Sequence, residues 1–390
     1  MNRATRVLIF CVAVLLMLGM ITLYSSSMNM ELNRLTVGSD FLRSQMVWGV
    51  LGLVGCAMAA AVDYRRWKKL APWILGFSVI LLILVYVPHI GWAATAGRGG
   101  GGASGAHRWI AIPYLPHFQP SELAKLAVII FLAAYAEHYQ RQMGTLKYGL
   151  AIPIAILVIP LALIFREPDR GCTILLALVA GTMLIVAGVR LLYLAPPALL
   201  AAAGLAVSFM HDPMRLTRIQ AWLHPELYKD GAGYQAYQAM IAFGSGGWTG
   251  LGLGEGRQKL GFVLERHTDF IFAIIGEELG LVATLAVVAL FATLLFCGIF
   301  IARRAADTFG RLLATGITFM ISFQAFINMG VATNLLPNKG MPLPFISYGG
   351  SNLLLMLVCV GLLCSISRFS DEPALATSDP FDVPQKLSDE

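Results

Sequence analysis

Residues 270–300 read FIFAIIGEELGLVATLAVVALFATLLFCGIF, apolar throughout except for Glu277 and Glu278. A run of this kind is long enough to cross a bilayer as a helix, which takes roughly 17 to 25 residues. Nine further runs share its character, at 7–24, 46–62, 72–89, 120–137, 149–165, 172–189, 191–209, 312–332 and 346–367. The stretch 172–209 is divided at Arg190 because it is too long for one crossing and Pro196–Pro197 disturbs it. Composition points the same way. Hydrophobic residues make up 57% of the 390 residues and charged residues 13%, with a mean hydropathy of +0.72. A soluble domain carries about 25% charged residues, so a soluble enzyme, a disordered chain and a nucleic-acid binder are all excluded. The sequence predicts an all-α polytopic membrane protein of about ten transmembrane helices, because only helices and closed barrels satisfy their backbone in lipid.

Residues 6–27 resemble a signal peptide in having a basic start and an apolar run. That run is long and no small-x-small cleavage site follows, so it reads as a retained first helix. With the N-terminus inside, Lys and Arg number fourteen in the inside segments and seven in the short outside loops. Both termini are therefore expected in the cytoplasm, with the long loop at about 210–269, between spans seven and eight, outside. The net charge of +6 reads as this loop bias. The whole of 1–369 is expected to form one transmembrane domain, and 370–390 a polar, acidic, disordered cytoplasmic tail. The low-complexity stretch Gly97–Gly105 is expected to be a flexible outside loop. Cys11, Cys56, Cys297, Cys359 and Cys364 lie in apolar runs, and Cys172 starts one. None has CxxC or metal-ligand spacing, so all six read as packing residues.

Polar groups at membrane depth are expensive, so each is a lead. Four clusters fall on the expected outside face. In the first, Arg108 precedes Gln119-Pro-Ser-Glu-Leu-Ala-Lys125. Pro120 can open a helix there, and Glu122 and Lys125, three apart, share a face and can pair. A structural ion pair and a functional one are equally compatible with that spacing. The second is Arg166-Glu-Pro-Asp-Arg-Gly171, which reads as an exposed charged turn. The third is the long loop. A short helix is expected around 231–242, followed by the glycine-rich 244–256, whose amides could approach a phosphate or sugar. Beyond it lie Lys259, Glu265, His267 and Asp269, with Asp269 where the chain re-enters the apolar run. A helix cap would explain an Asp there. Glu277 and Glu278, two turns deeper, favour a functional reading. The fourth is Gln324, Asn328 and Asn334, then Pro337-Asn-Lys-Gly340 and Ile346-Ser-Tyr-Gly-Gly-Ser351. Gln324 and Asn328 share a face suited to interhelical hydrogen bonding. Lys339, Ser347 and Tyr348 belong to this cluster. Sites confined to one face suggest chemistry on a lipid-linked substrate rather than transport through the midplane.

These strings resemble the SEDS family (shape, elongation, division and sporulation proteins) across nearly the whole chain. The resemblance rests on Arg108-Trp-Ile, Gln119–Leu126, Gly231-Ala-Gly-Tyr-Gln235, Ser245-Gly-Gly247, Gly250–Gly254, Gln258-Lys259, His267-Thr-Asp-Phe-Ile-Phe-Ala273, Gly276-Glu-Glu-Leu-Gly280 and Leu343–Ser351, in that order. Pro337-Asn-Lys-Gly340 is close to the Pro-Thr-Lys-Gly of the division branch, whereas elongation members usually lack that Lys. Departures are Val263-Leu-Glu265 for Leu-Pro-Glu, Asn334 for a usual Gly, Glu255-Gly256 for a Ser-containing pair, and Arg166–Arg170 for a Gln-Pro-Asp turn.

The resemblance implies a peptidoglycan glycosyltransferase of the bacterial inner membrane, at the division septum, that polymerises lipid II. It implies that Asp269 is the catalytic base. A lipid diphosphate is already a good leaving anion. The chemistry therefore needs one base for the acceptor hydroxyl and cations for the diphosphate. Arg108, Lys125, Lys259 and Lys339 are the candidate cations, with Glu122 orienting Lys125. Glu265 is a candidate for positioning the acceptor or, with Asp269, holding a divalent cation (Mg or Mn); no tightly bound cofactor is expected. His267, Ser347 and Tyr348 complete the candidate substrate contacts. The implied partners are lipid II, the nascent glycan strand, a class B penicillin-binding protein (an FtsI-like transpeptidase) and other division-complex proteins. A lipid II flippase, an elongation-type polymerase and a recruiting scaffold are the alternatives.

Overall fold

The computed structural model describes residues 2–31, 37–87, 91–93, 107–110, 118–167, 169–210, 213–258 and 268–369. Each of the ten apolar runs falls on one helix: α1 (Arg3–Glu31), α2 (Val37–Ala61), α3 (Arg65–Leu84), α4 (Pro120–His138), α5 (Ile152–Arg166), α6 (Arg170–Val186), α7 (Leu191–Met210), α10 (Ile271–Arg304), α11 (Thr308–Ala332) and α12 (Gly350–Arg368). The long loop contributes two more, α8 (Pro213–Leu223) and α9 (Tyr234–Gly246), the second close to the expected short helix. Among the described residues, seven helices are long and apolar enough to cross a membrane, α6 and part of α7 are shorter apolar helices, and α4 carries Glu122, Lys125 and Glu137. The chain is a multi-pass helical membrane protein.

Start and stop signals act locally as the sequence suggests. Pro120 opens α4. Asp169 caps α6 by accepting from the Cys172 amide, 3.1 Å, and Asp307 caps α11 through the Gly310 amide, 2.7 Å. A small feature outside the all-α expectation is the hairpin of β1 (Gly91–Ala93) and β2 (His107–Ile110), which pairs Trp92 with Trp109. The glycine-rich 97–105 stretch lies outside the described residues, as does the tail 370–390.

The protein centre is α4, α11 and α12, whose side chains are mostly buried. α12 lies along α2, α10 along α11 and α1, and α3 along α4. The outer helices instead turn large apolar side chains away from the protein, including Phe10, Trp73, Leu192 and Leu199, as a lipid-facing surface requires.

One expectation is corrected here. The run 270–300 is not a continuous helix. Gly280 breaks α10 with φ 76° and ψ −172°, and a Cβ there would collide with the backbone of residues 248–250. The glycine-rich 244–256 segment fills the break. Leu251 and Gly252 donate their amides to the Glu277 and Glu278 carbonyls, both 3.0 Å, and the Leu281 amide donates to the Gly247 carbonyl, 2.9 Å. The glycines of this segment therefore admit the protein's own backbone, and those amides are engaged inside the fold rather than offered to a phosphate.

Candidate active site

Asp269 sits in the turn that precedes α10. The helix cap is Phe270, with no side-chain cap bond, so capping does not explain an Asp at 269. Its neighbourhood is held from α11. Asn328 donates its Nδ2 to the Asp269 carbonyl, 2.9 Å, and to the Met341 carbonyl, 2.7 Å. Gln324, one turn away on the same face, donates to the Pro342 carbonyl, 2.9 Å. The pair expected to bond between helices thus clamps the loop after α11 against the turn before α10. Ser347 adds a second clamp: its Oγ accepts from the Leu343 amide, 2.8 Å, and donates to the Thr268 carbonyl. The loop then passes so close to Asp269 that a Cβ on Gly340 would collide with the carboxylate. Only glycine fits there with Asp269 in place.

Beneath the loop lies a buried ion cluster. Lys125 pairs with Glu122 at 2.8 Å and donates to Gln324 Oε1 at 3.0 Å. Asn352 donates to Glu122 at 2.8 Å. Lys125 and Glu122 are 2% and 4% exposed, so removing either partner would leave a buried charge, a loss of about 3–5 kcal/mol. This cluster ties α4 to α11 and α12. Because Gln324 also holds Pro342, its order is passed to the site loop.

The turn 166–171 is only in part the exposed charged turn that its composition suggests: Arg166 is exposed, but the carboxylates turn inward. Glu167 is fully buried and Asp169 nearly so. The Asp169 carboxylate accepts from the Cys172 amide of α6 and from Gln119 Nε2, 3.4 Å, and Gly171 packs against Met341. Arg108 donates its Nε to the Glu167 carbonyl at 3.0 Å. Burial, reinforced by Asp169 and opposed by Arg108, pushes the Glu167 carboxyl up to about 8.

A cavity of about 740 Å³ opens against Asp269, within the size range of small-ligand sites. Asp269, Asn338 and Gly340 line it from the bundle. Thr217 and Arg218 of α8, Asp230, and Gln235 of α9 line it from the long loop. Asn338 and Gln235 meet across it at 3.5 Å. α8 is fixed to the end of α11: the Trp222 indole donates to the Asn334 carbonyl, 3.0 Å, and Asn334 Nδ2 reaches the Trp222 carbonyl, 3.5 Å. Asn334 has φ 60°, a left-handed position that suits Gly or Asn after a helix. Asn in place of the usual Gly therefore keeps the turn and adds a tie to α8.

Of the predicted residues, Asp269 lines the cavity and Lys339 stands between two lining residues, part-exposed. Lys125 and Glu122 lie in the buried cluster, and Arg108 is at the α5–α6 turn. Ser347 is engaged in the clamp. Tyr348 is part-buried, its ring edge-on to Phe41 and its hydroxyl 3.4 Å from Ser44 Oγ. Lys259, Glu265 and His267 lie outside the described residues. Among the described residues, no three His, Cys, Asp or Glu side chains converge as a metal site. Sequence reasoning missed Arg218 and Asp230; Gln235 and Asn338 stood inside quoted strings but were given no role of their own. The available signal was the basic, amphipathic stretch Met214–Gln220 in the first part of the long loop, ahead of the segments singled out there.

Comparison with known proteins places this architecture. The family model described as "Cell cycle protein" for FtsW, RodA and SpoVE matches residues 5–372. A probable peptidoglycan glycosyltransferase FtsW of Trichlorobacter lovleyi is 40% identical over 361 residues, 93% of this chain and 92% of that protein. Stage V sporulation protein E of Bacillus subtilis is 34% identical over 93% of this chain and 96% of its own. Among solved structures, a chain from "Structural coordination of polymerization and crosslinking by a peptidoglycan synthase complex" aligns with TM-score 0.74 and 28% identity, covering 94% of this chain and 98% of that one. The rod shape determining protein RodA of Thermus thermophilus aligns with TM-score 0.66 and 26% identity, covering 94% and 97%.

Proposed function

The chain belongs to the FtsW/RodA/SpoVE family of cell cycle proteins, and from that premise we propose that it polymerises lipid II into glycan strands with Asp269 as general base. It is a peptidoglycan glycosyltransferase, like the relatives that cover nearly all of it. The observation that carries the residue-level reading is the position of Asp269: a carboxylate on the wall of a large polar cavity, set by contacts to its own main chain and by Gly340.

The acceptor sugar hydroxyl loses its proton to the Asp269 carboxylate as its oxygen attacks the anomeric carbon of the donor. The bond to the lipid diphosphate breaks with its electron pair on the diphosphate. A single displacement inverts the anomeric centre, and no second carboxylate is needed to protonate the leaving group, unlike glycoside hydrolysis. Lys339, beside the cavity, supplies positive charge near the diphosphate. Lys125 acts through Gln324 on the loop rather than on the substrate. The cavity faces the outside of the inner membrane, where the lipid-linked donor is presented, and the site of action is the division septum. A class B penicillin-binding protein cross-links the emerging strand. The solved complex that this chain resembles, which couples polymerization to crosslinking, supports such a partner.

Purified protein supplied with lipid II, with and without the transpeptidase, is expected to make glycan strands, and Asp269→Ala protein that inserts normally is expected to make none. Strand synthesis by the Asp269→Ala protein would remove the base assignment.

A further inference from the structure

The cavity contains one cation that the resemblance did not point to. Arg218 is exposed on α8 and lines the cavity with Asp230 and Asp269; among the described lining residues it is the only cation. Neither Arg218 nor Asp230 has a hydrogen-bond or ion-pair partner among the described residues. The other described cations named above do not line the cavity: Lys125 is buried in its ion pair, Arg108 holds the Glu167 carbonyl, and Lys339, its Nζ buried, stands between two lining residues.

We propose that Arg218 is the residue that receives the departing lipid diphosphate, an assignment that rests on the glycosyltransferase reading. A guanidinium binds two phosphate oxygens at once and stays charged at any working pH. A diphosphate entering a cavity with two carboxylates is repelled from both and drawn to the cation on its lining, with Lys339 adding background positive charge from beside the cavity. That fixes the donor's direction, with the diphosphate toward α8 and the anomeric carbon toward Asp269. As the C–O bond breaks, the added negative charge on the diphosphate oxygen develops at Arg218, while the proton from the acceptor goes to Asp269 at the other end. Cationic stabilisation is thus placed where charge appears.

The helix that carries Arg218 is well held for this task. Trp222, four residues on and therefore on the same face, docks on Asn334 at the end of α11. The loop between Asn334 and Gly340 then connects that dock to the Asp269 wall, so α8 and the base share one frame. Because Arg218 is exposed, its replacement removes no core packing.

The test uses the purified full chain and measures binding of a polyprenyl diphosphate and of the matching monophosphate. Wild type and Asp269→Asn are expected to prefer the diphosphate by about tenfold or more, the scale of a lost charge-assisted contact. Arg218→Gln is expected to bind both alike, and Arg218→Lys to keep part of the preference. Retention of the full preference by Arg218→Gln, or its absence in wild type, overturns the assignment. Wild-type protein that prefers the diphosphate but makes no strands from lipid II would leave Arg218 standing and remove the glycosyltransferase reading instead.

Discussion

Asp269 and the Glu277–Glu278 pair lie within one stretch of sequence, yet the fold gives them opposite work. Asp269 borders open space: it stands on the cavity wall, Asn328 holds its main-chain carbonyl, and Gly340 passes close against its carboxylate. Glu277 is 1% exposed and accepts the amides of Arg257 and Gln258, at 2.8 and 3.1 Å. Glu278, equally buried, accepts from Ser25 of α1 at 2.7 Å. Their place two turns beneath Asp269 in the sequence favoured a functional reading of the whole group. The structure shows them stitching the glycine-rich segment and α1 to the broken helix. A carboxylate at membrane depth marks chemistry only when its oxygens face a space that substrate can enter.

This contrast can be broken by substitution. Asp269→Asn should lower the turnover of lipid II by about 10²–10⁴-fold, the usual worth of a general base, while its thermal midpoint in detergent stays at the wild-type value; a large loss of stability would make it a structural carboxylate like its neighbours. Glu277→Gln should do the reverse. It replaces a charged acceptor of two amides, so folding should weaken by about 3 kcal/mol, with turnover per folded molecule falling far less than for Asp269→Asn. Gly340→Ala sharpens the comparison by moving the base without changing it. Its Cβ would displace the Asp269 carboxylate, and a displacement near 1 Å should cost about 10²-fold in turnover, with donor binding little changed.

A last prediction concerns Glu167 and is read as a slope of stability against pH, with no effect on turnover asked of it. Its carboxyl titrates near 8 in the folded protein against an ordinary 4.5, so between those values the folded chain holds more protons than the unfolded one. Its contribution to stability is full below about pH 4.5 and is lost as pH rises through about 8, with a slope of at most about 1.4 kcal/mol per pH unit. Thermal midpoints measured from pH 5 to 8 should fall in wild type and fall less in Glu167→Gln.

Much of the fold was legible because lipid imposes long apolar runs, and all ten mark helices. Pro120 and the i,i+3 pair Glu122–Lys125 were legible because they act within one helix. Their completion by Gln324 and Asn352 was not, since those contacts join residues 199 and 230 positions apart. The break at Gly280 was hidden because glycine in an apolar run carries no sign of its φ, and its cause lies in another segment. Asp269, which lines the cavity, stood out through its surrounding motif and its place at the edge of an apolar run. Arg218 and Asp230 had neither cue: they reach the cavity only because α8 docks on Asn334, a tertiary event without a local pattern.

The Gly280 break also determines what the position of Asp269 is measured against. The piece of α10 before it, Ile271–Leu279, would be about 13 Å long as a helix, far short of a bilayer, and residues 270–278 are all buried. The piece after it faces outward through Val282, Leu285 and Phe296. A full-length spanning helix takes its depth from the hydrocarbon around it and tilts when that thickness changes. The short inner piece has no such contact, so the height of Asp269 is referenced to α11 and the glycine-rich segment, and membrane thickness is no part of its coordinate.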